Sequence, residues 1–316
     1  MKIDETQFIW AEKYRPSTVK DVILPKELKD TFLGYIDEGR FPHILLSSTI
    51  PGVGKTSITS AIIKDLDADV KWINGSQDRG ISTFRDSVKD FVTSVSIDDS
   101  PKIVVIDESD GLTSEAQKIL RGLIEEFSKN STFILTCNYK EQLIEPLRNR
   151  FIHFDFDNVF NQNKKEIGLQ IFERLQFILD NEGVKYDKKE LSPVVSNLYP
   201  SLRKMVLTLQ QSTSSGNLVL DKGMINLGGK LNEILLKAKA KEFNLVKSLV
   251  GDLDDAGSIY TYAFKNITEL FKESSIPDVV ILCSKYQDMH QNARDKTITA
   301  TAFIVELMMQ PGIVFK

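Results

Sequence analysis

Pro51-Gly52-Val53-Gly54-Lys55-Thr56-Ser57 is a run of small residues closed by a lysine and two hydroxyl side chains. It follows the apolar run Ile44-Leu45-Leu46 and precedes a helical pattern. Small residues let successive backbone N–H groups curl around phosphate oxygens, and a helix N-terminus adds the positive end of its dipole. In that setting Lys55 would reach the β- and γ-phosphates of a nucleoside triphosphate, and Thr56 would ligate Mg²⁺. Against the pattern G-x-x-x-x-G-K-[ST] the chain departs at the first position, where Thr49 stands. A second cluster closes the apolar run Ile103 to Ile106 with Asp107 and Glu108. Two carboxylates there would sit at the C-terminal end of a buried strand, where open α/β sheets bind their ligands. Asp107 would hold the metal, and Glu108 would orient and deprotonate an attacking water. A strand that simply ends in solvated acids is the plainer reading of the second cluster. The coincidence of both halves favours a site that hydrolyses ATP.

Positioning such a site takes strands that end together. Short apolar runs recur at Ile44–Leu46, Val70–Ile73, Ile103–Ile106, Phe133–Thr136 and Ile152–Phe154. Helical patterns separate them, the clearest being Ala116, Ile119, Leu120, Leu123, Ile124 and Phe127, with Thr113 or Ser114 available as N-cap. Strands alternating with helices imply right-handed crossovers and a doubly wound parallel sheet covered on both faces. The strand signal then stops. Helices are predicted over 164–182, 188–198 and 201–211, and again over 231–241, 258–271, 278–289 and 297–309. Between these groups Ser212 to Asn217 reads as a linker. The predicted organisation is α/β followed by all-α: an ATPase domain over 1–156, a helical domain over 157–226 and a second helical domain over 227–316.

The bulk properties fit this plan. A chain of 316 residues is long for one core, and 41% hydrophobic with 27% charged is an ordinary globular composition. A net charge of −4 is not that of a protein that coats nucleic acid, so any DNA contact must be local. Cys137 and Cys283 lie far apart in apolar stretches and are expected to be reduced core thiols of a cytoplasmic protein. No apolar run approaches the roughly 20 residues that span a membrane, and MKIDETQFIW lacks a signal-peptide pattern. His43, His153 and His290 show no metal-ligand spacing, and no chemistry is assigned to them.

Trp10-Ala11-Glu12-Lys13-Tyr14-Arg15-Pro16, Phe41-Pro42-His43-Ile44-Leu45-Leu46 and Asn74-Gly75-Ser76-Gln77-Asp78-Arg79-Gly80-Ile81 stand in order around the phosphate loop. In order and spacing these segments resemble the sliding-clamp-loader subunits of the AAA+ ATPases, most nearly the large subunits of T4-type bacteriophages. The resemblance runs over nearly the whole chain. It implies an AAA+ domain, a small helical lid and a C-terminal helical collar for oligomerisation. It also implies an adenine pocket built from Tyr14, Arg15, Val22 and Ile23. Asn138 matches the polar sensor of the lytic water, with a plain strand-closing Asn as the alternative. Arg150 falls where the family has a Ser-Arg-Cys motif, here flanked by Asn149 and Phe151; the resemblance makes it an arginine finger acting on a neighbouring subunit's ATP, and a surface ion pair is the other reading. Arg203 matches the lid arginine that reaches its own subunit's phosphates, with Lys204 beside it as the competing residue.

The same resemblance implies partners: copies of this chain in a ring or spiral, a different small clamp-loader subunit, the trimeric sliding clamp and primer–template DNA. Arg79, Ser82, Thr83 and Arg85 are the candidates for backbone phosphates at a helix start, where N–H dipoles need little net charge. Gln117 is the candidate for coupling DNA sensing to the catalytic site, or else completes a capping box with Ser114. Val95 and Ile97 are candidates for clamp contact, with a buried edge as the competing reading. Two other functions compete: a different AAA+ DNA-remodelling ATPase, such as a helicase loader or branch-migration motor, and a non-hydrolysing scaffold subunit. A scaffold would be expected to lack Glu108 or Arg150, and both are present. A phage-encoded chain of this kind would work in the host cytoplasm.

Overall fold

The computed structural model describes residues 3–77, 81–94, 100–214, 216–220, 227–253 and 255–316. They fall into two compact units, Met1–Leu220 and Asp221–Lys316.

In the first unit, α1 (Trp10–Lys13) and α2 (Lys26–Asp37) precede the sheet. Strands β1 (Ile44–Ser47), β2 (Asp69–Asn74), β3 (Lys102–Asp107), β4 (Ser131–Cys137) and β5 (Ile152–Asp155) then alternate with α3 (Lys55–Asp65), α4 (Ile81–Thr93), α5 (Ser114–Phe127) and α6 (Glu145–Arg148). All five strands pair in parallel, in the order β2-β3-β4-β1-β5. The central strands are apolar and closed to water: Ile103–Ile106 and Ile44–Leu46 are all buried, as a sheet covered on both faces requires. At the edges Val70, Trp72 and Ile152 are exposed, so the cover does not extend over the outermost strands.

Register decides where chemistry lies. Asn74 pairs with Asp107, and Ser47 pairs with both Cys137 and Asp155. The C-terminal ends of all five strands therefore share one rim.

Helix α5 turns Ala116, Leu120, Leu123, Ile124 and Phe127 into the core beside Val104, Ile106 and Phe133. Its N-cap is Thr113, whose side chain accepts from Ala116 N–H at 3.2 Å. After the sheet come α7 (Phe156–Gln162), α8 (Lys164–Asn181), α9 (Lys188–Leu198) and α10 (Leu202–Gln211). These helices belong to the same compact unit as the sheet.

The segment expected to be a linker is not one. Thr213–Ser214 and Asn217–Leu218 form a short hairpin, with Gly216 at φ +77° in its turn and Lys185 bridged to Asn217. Gly and Ser composition marks a turn as well as a tether, and here the turn won.

The second unit holds α11 (Leu227–Lys239), α12 (Phe243–Gly251), α13 (Ser258–Lys265), α14 (Ile267–Leu270), α15 (Ile276–Asn292) and α16 (Lys296–Met309). Its core gathers Leu231, Ile234, Val246, Tyr260, Phe271, Phe303 and Ile304. The single helix expected over 258–271 is broken at Asn266, whose side chain donates to Tyr262 O. No helix of the described residues is long and apolar enough to cross a membrane.

Candidate nucleotide site

The rim of the sheet opens into a cavity of about 310 Å³. Tyr14, Arg15, the whole loop Pro51–Ser57, Asp107, Glu108, Asn138 and Arg203 all line it. Gly52 (φ +79°) and Gly54 (φ +109°) occupy left-handed backbone that other residues resist, which lets the loop curl before α3 begins at Lys55. Lys55 Nζ donates to Asn138 Oδ1 at 3.0 Å and to Ser48 O at 3.1 Å. Burial holds its ammonium below the ordinary lysine value.

Asp107 and Thr56 meet across the cavity floor, with Thr56 Oγ1 3.3 Å from Asp107 Oδ2. Thr136 Oγ1 donates to Asp107 Oδ1 and accepts from Glu108 N–H at 3.2 Å, so one hydroxyl fixes both acidic residues. Glu108 takes a left-handed backbone, φ +53° and ψ +45°, which turns it out of the strand line. Asn138 is set by Asp110, whose Oδ2 accepts the Asn138 and Tyr139 N–H groups, each at 3.0 Å. Among the described residues no three His, Cys, Asp or Glu side chains cluster as a metal cage. The hydroxyl–carboxylate pair Thr56 and Asp107 instead suits Mg²⁺, a hard cation that keeps several waters and shares phosphate oxygens.

The lid closes the other wall. Ser201 Oγ donates to Pro51 O at 2.8 Å, and Arg203 N donates to Gly52 O at 3.2 Å. A Cβ at Gly52 would lie 2.8 Å from Ser201 Oγ and 2.9 Å from Arg203 Cβ, so glycine permits this approach. Arg203 lines the cavity and Lys204 does not, which separates the two competing lid residues by position.

Tyr14 OH donates to Glu182 Oε1 at 2.7 Å, and Lys13 Nζ pairs with the same oxygen at 2.8 Å. Burial, with Glu182 beside it, pushes the Tyr14 phenol well above its ordinary value. Val22 and Ile23 are buried in the core and do not belong to the lining, so the cavity does not include this part of the expected adenine pocket. Arg174, Ile178 and Val206 do line the cavity and carried no motif.

With this geometry in place, the kinship of the chain is informative. Residues 45–158 match the AAA family, the ATPase family associated with various cellular activities. The sliding-clamp-loader large subunit of Enterobacteria phage T4 is 35% identical over 254 residues, covering 78% of this chain and 78% of that one. The chain belongs to the clamp-loader family of AAA ATPases. The replication factor C small subunit of Saccharolobus solfataricus is 35% identical over 226 residues, covering 70% of this chain and 66% of that one. A solved structure of Thermotoga maritima RuvB matches with a TM-score of 0.56 at 17% identity, over 80% of this chain and 91% of that one, a likeness of fold alone.

Of the other candidate residues of this clamp-loader chain, the described ones lie outside the cavity lining. Arg150 pairs with Glu125 and donates to Pro146 O. Gln117 is buried and makes no capping box: its Nε2 donates to Leu112 O and Gln142 O at 3.1 Å, and its Oε1 accepts from Ile144 N–H at 2.7 Å. Ser82 and Thr83 fall in the first turn of α4, and Arg85 is exposed one turn on. Arg79, Val95 and Ile97 lie outside the described residues. The histidines serve packing: His43 Nδ1 accepts from Phe133 N–H at 3.0 Å, His153 contacts Ser47 Oγ at 2.8 Å and His290 contacts Tyr260 OH at 3.1 Å.

Proposed function

We propose that this chain is the ATP-hydrolysing subunit of a sliding-clamp loader. Copies of it, with a different small subunit, would form a spiral that opens a trimeric clamp and releases it on primer–template DNA. The observation that carries the reading is the convergence of Lys55, Thr56, Asp107, Glu108, Asn138 and Arg203 on one cavity of a clamp-loader-family chain.

Phosphoryl transfer asks a protein mainly for positioning and charge neutralisation. Lys55 binds the β- and γ-phosphates, and the loop's N–H groups hold them from below. Thr56 and Asp107 would hold Mg²⁺, whose charge would stabilise the phosphate oxygens. Glu108 orients the lytic water and takes its proton, while Asn138 fixes the position of that water. Arg203 neutralises charge from the lid, and Arg150 does so from the next copy. A site completed between subunits makes hydrolysis conditional on what the spiral encloses. Arg85, in α4, meets template phosphates, and Gln117 carries that signal through α5.

The test is steady-state ATP hydrolysis by the complex with its small subunit, run alone, with clamp, with primer–template DNA and with both. Synergy between clamp and DNA is expected. Stimulation by DNA alone, with no response to any clamp, would point to a different DNA remodeller and reject the reading.

A further inference from the structure

The phosphate loop is also gripped from a side that no motif announces. Asp157 stands in the first turn of α7, two residues beyond the end of β5. Its carboxylate accepts three hydrogen bonds from the loop's first turn: Ser48 Oγ at 2.7 Å, Thr49 N–H at 2.9 Å and Thr49 Oγ1 at 2.7 Å. The frame beneath is firm. Ser47 pairs with Asp155 across β1 and β5, and Asp155 Oδ1 accepts the Asp157 and Asn158 N–H groups at 3.1 and 3.2 Å.

Thr49 is the residue that departs from the loop pattern. It is not among the residues with positive φ, so the backbone there does not demand glycine. Its hydroxyl instead supplies a donor that glycine lacks. Ser48, nearly closed to solvent, passes the anchorage on, because its carbonyl accepts from Lys55 Nζ at 3.1 Å. Burial alone would raise the Asp157 carboxyl, but the hydrogen bonds from Ser48 and Thr49, with the charge of Lys55, outweigh it and hold it below the usual carboxylate range. The group is therefore ionised at neutral pH, and its bonds are of the stronger, charge-assisted kind.

We propose that Asp157 is a positioning residue for nucleotide binding, which anchors Ser48 and Thr49 and, through Ser48, holds Lys55 Nζ at the phosphate position. The proposal rests on reading the cavity as the nucleotide site. It assigns the lid root a hold on the loop separate from that of Ser201 and Arg203, so the segment that follows the sheet fixes the loop at two points, Ser48–Thr49 and Pro51–Gly52.

The test is binding of ADP with Mg²⁺ to the full chain by titration calorimetry, with melting temperature measured in parallel. Loss of one charge-assisted network predicts a Kd about tenfold weaker for Asp157→Ala. Asp157→Asn, which keeps one acceptor and the shape, should weaken binding less and serves if the alanine variant fails to fold. Thr49→Ala should weaken binding too, and combining it with Asp157→Ala should add little, as expected of residues sharing one interaction. In the assembled complex the Asp157 variants should raise KM for ATP with kcat nearly unchanged. A lowered melting temperature with unchanged ADP affinity would reduce Asp157 to a helix-to-loop tie and overturn the proposal. Lys55→Ala separates the two levels: if it abolishes ADP binding while the Asp157 variants bind normally, only the positioning role falls. If Lys55→Ala binds like the parent, the site reading falls and the proposal with it.

Discussion

Gly75 shapes the rim of the sheet by what it omits. A Cβ there would lie 2.6 Å from the carbonyl oxygen of Glu108 and 3.2 Å from Ser109 Cα, and backbone atoms cannot yield as a flexible side chain can. Glu108 already holds a left-handed backbone, a conformation that costs of order 1–3 kcal/mol and survives only when its surroundings enforce it. Gly75→Ala should therefore displace Glu108 and lower kcat by about tenfold or more, a barrier rise of about 1.4 kcal/mol, while ADP affinity stays near that of the parent. Hydrolysis rates and nucleotide titration on the same preparation check this. Glu108→Gln should likewise bind ATP and fail to turn it over. A milder check concerns the thiols: burial pushes Cys137 up to about 12 and Cys283 up to about 11. The reactive thiolate is scarce in both, so iodoacetamide at pH 8 should label neither until denaturant is added. Lys55, Thr56, Asp107 and Glu108 were legible in the sequence because phosphate chemistry needs those side chains at close spacing. Thr136, Asp110 and Asp157 were not, because each acts on a residue 28 or more positions away and only the folded rim brings them together.

At the scale of elements, α5 is the piece on which most depends. Its apolar spacing foretold the buried face, and a hydroxyl cap was expected at its start; only the geometry chose Thr113 over Ser114. Thr113→Ala should cost about 1 kcal/mol in urea denaturation through the lost cap. Gln117→Ala should cost about 2 kcal/mol or more, since Leu112 O, Gln142 O and Ile144 N–H would lose a buried partner together. The three central strands could be read because buried parallel strands are continuous apolar runs, and the edge strands β2 and β5 from interrupted apolar stretches. Helix α12 and the break at Asn266 could not, since short helices owe their bounds to tertiary packing more than to local preference. The hairpin at 213–218 shows the same ambiguity, for Ser and Gly serve turns and tethers alike.

At the scale of the molecule, one feature of the isolated chain bears on how it works in an assembly. Arg150, the proposed finger, is engaged by Glu125 on its own surface. An exposed pair of this kind is worth about 1 kcal/mol or less, so a neighbour's phosphates can displace it readily. Arg150→Ala should then leave nucleotide affinity in the single chain unchanged and abolish turnover in the complex. The most direct test is complementation between two inactive variants. On the proposed arrangement, Glu108→Gln would spoil a subunit's own site but keep its finger, whereas Arg150→Ala would keep the site but withdraw the finger from the neighbour. Co-assembled with the small subunit, clamp and primed DNA, the mixture should regain ATP hydrolysis that neither variant shows alone. A mixture as inactive as its two parents would contradict a site shared between copies of this chain.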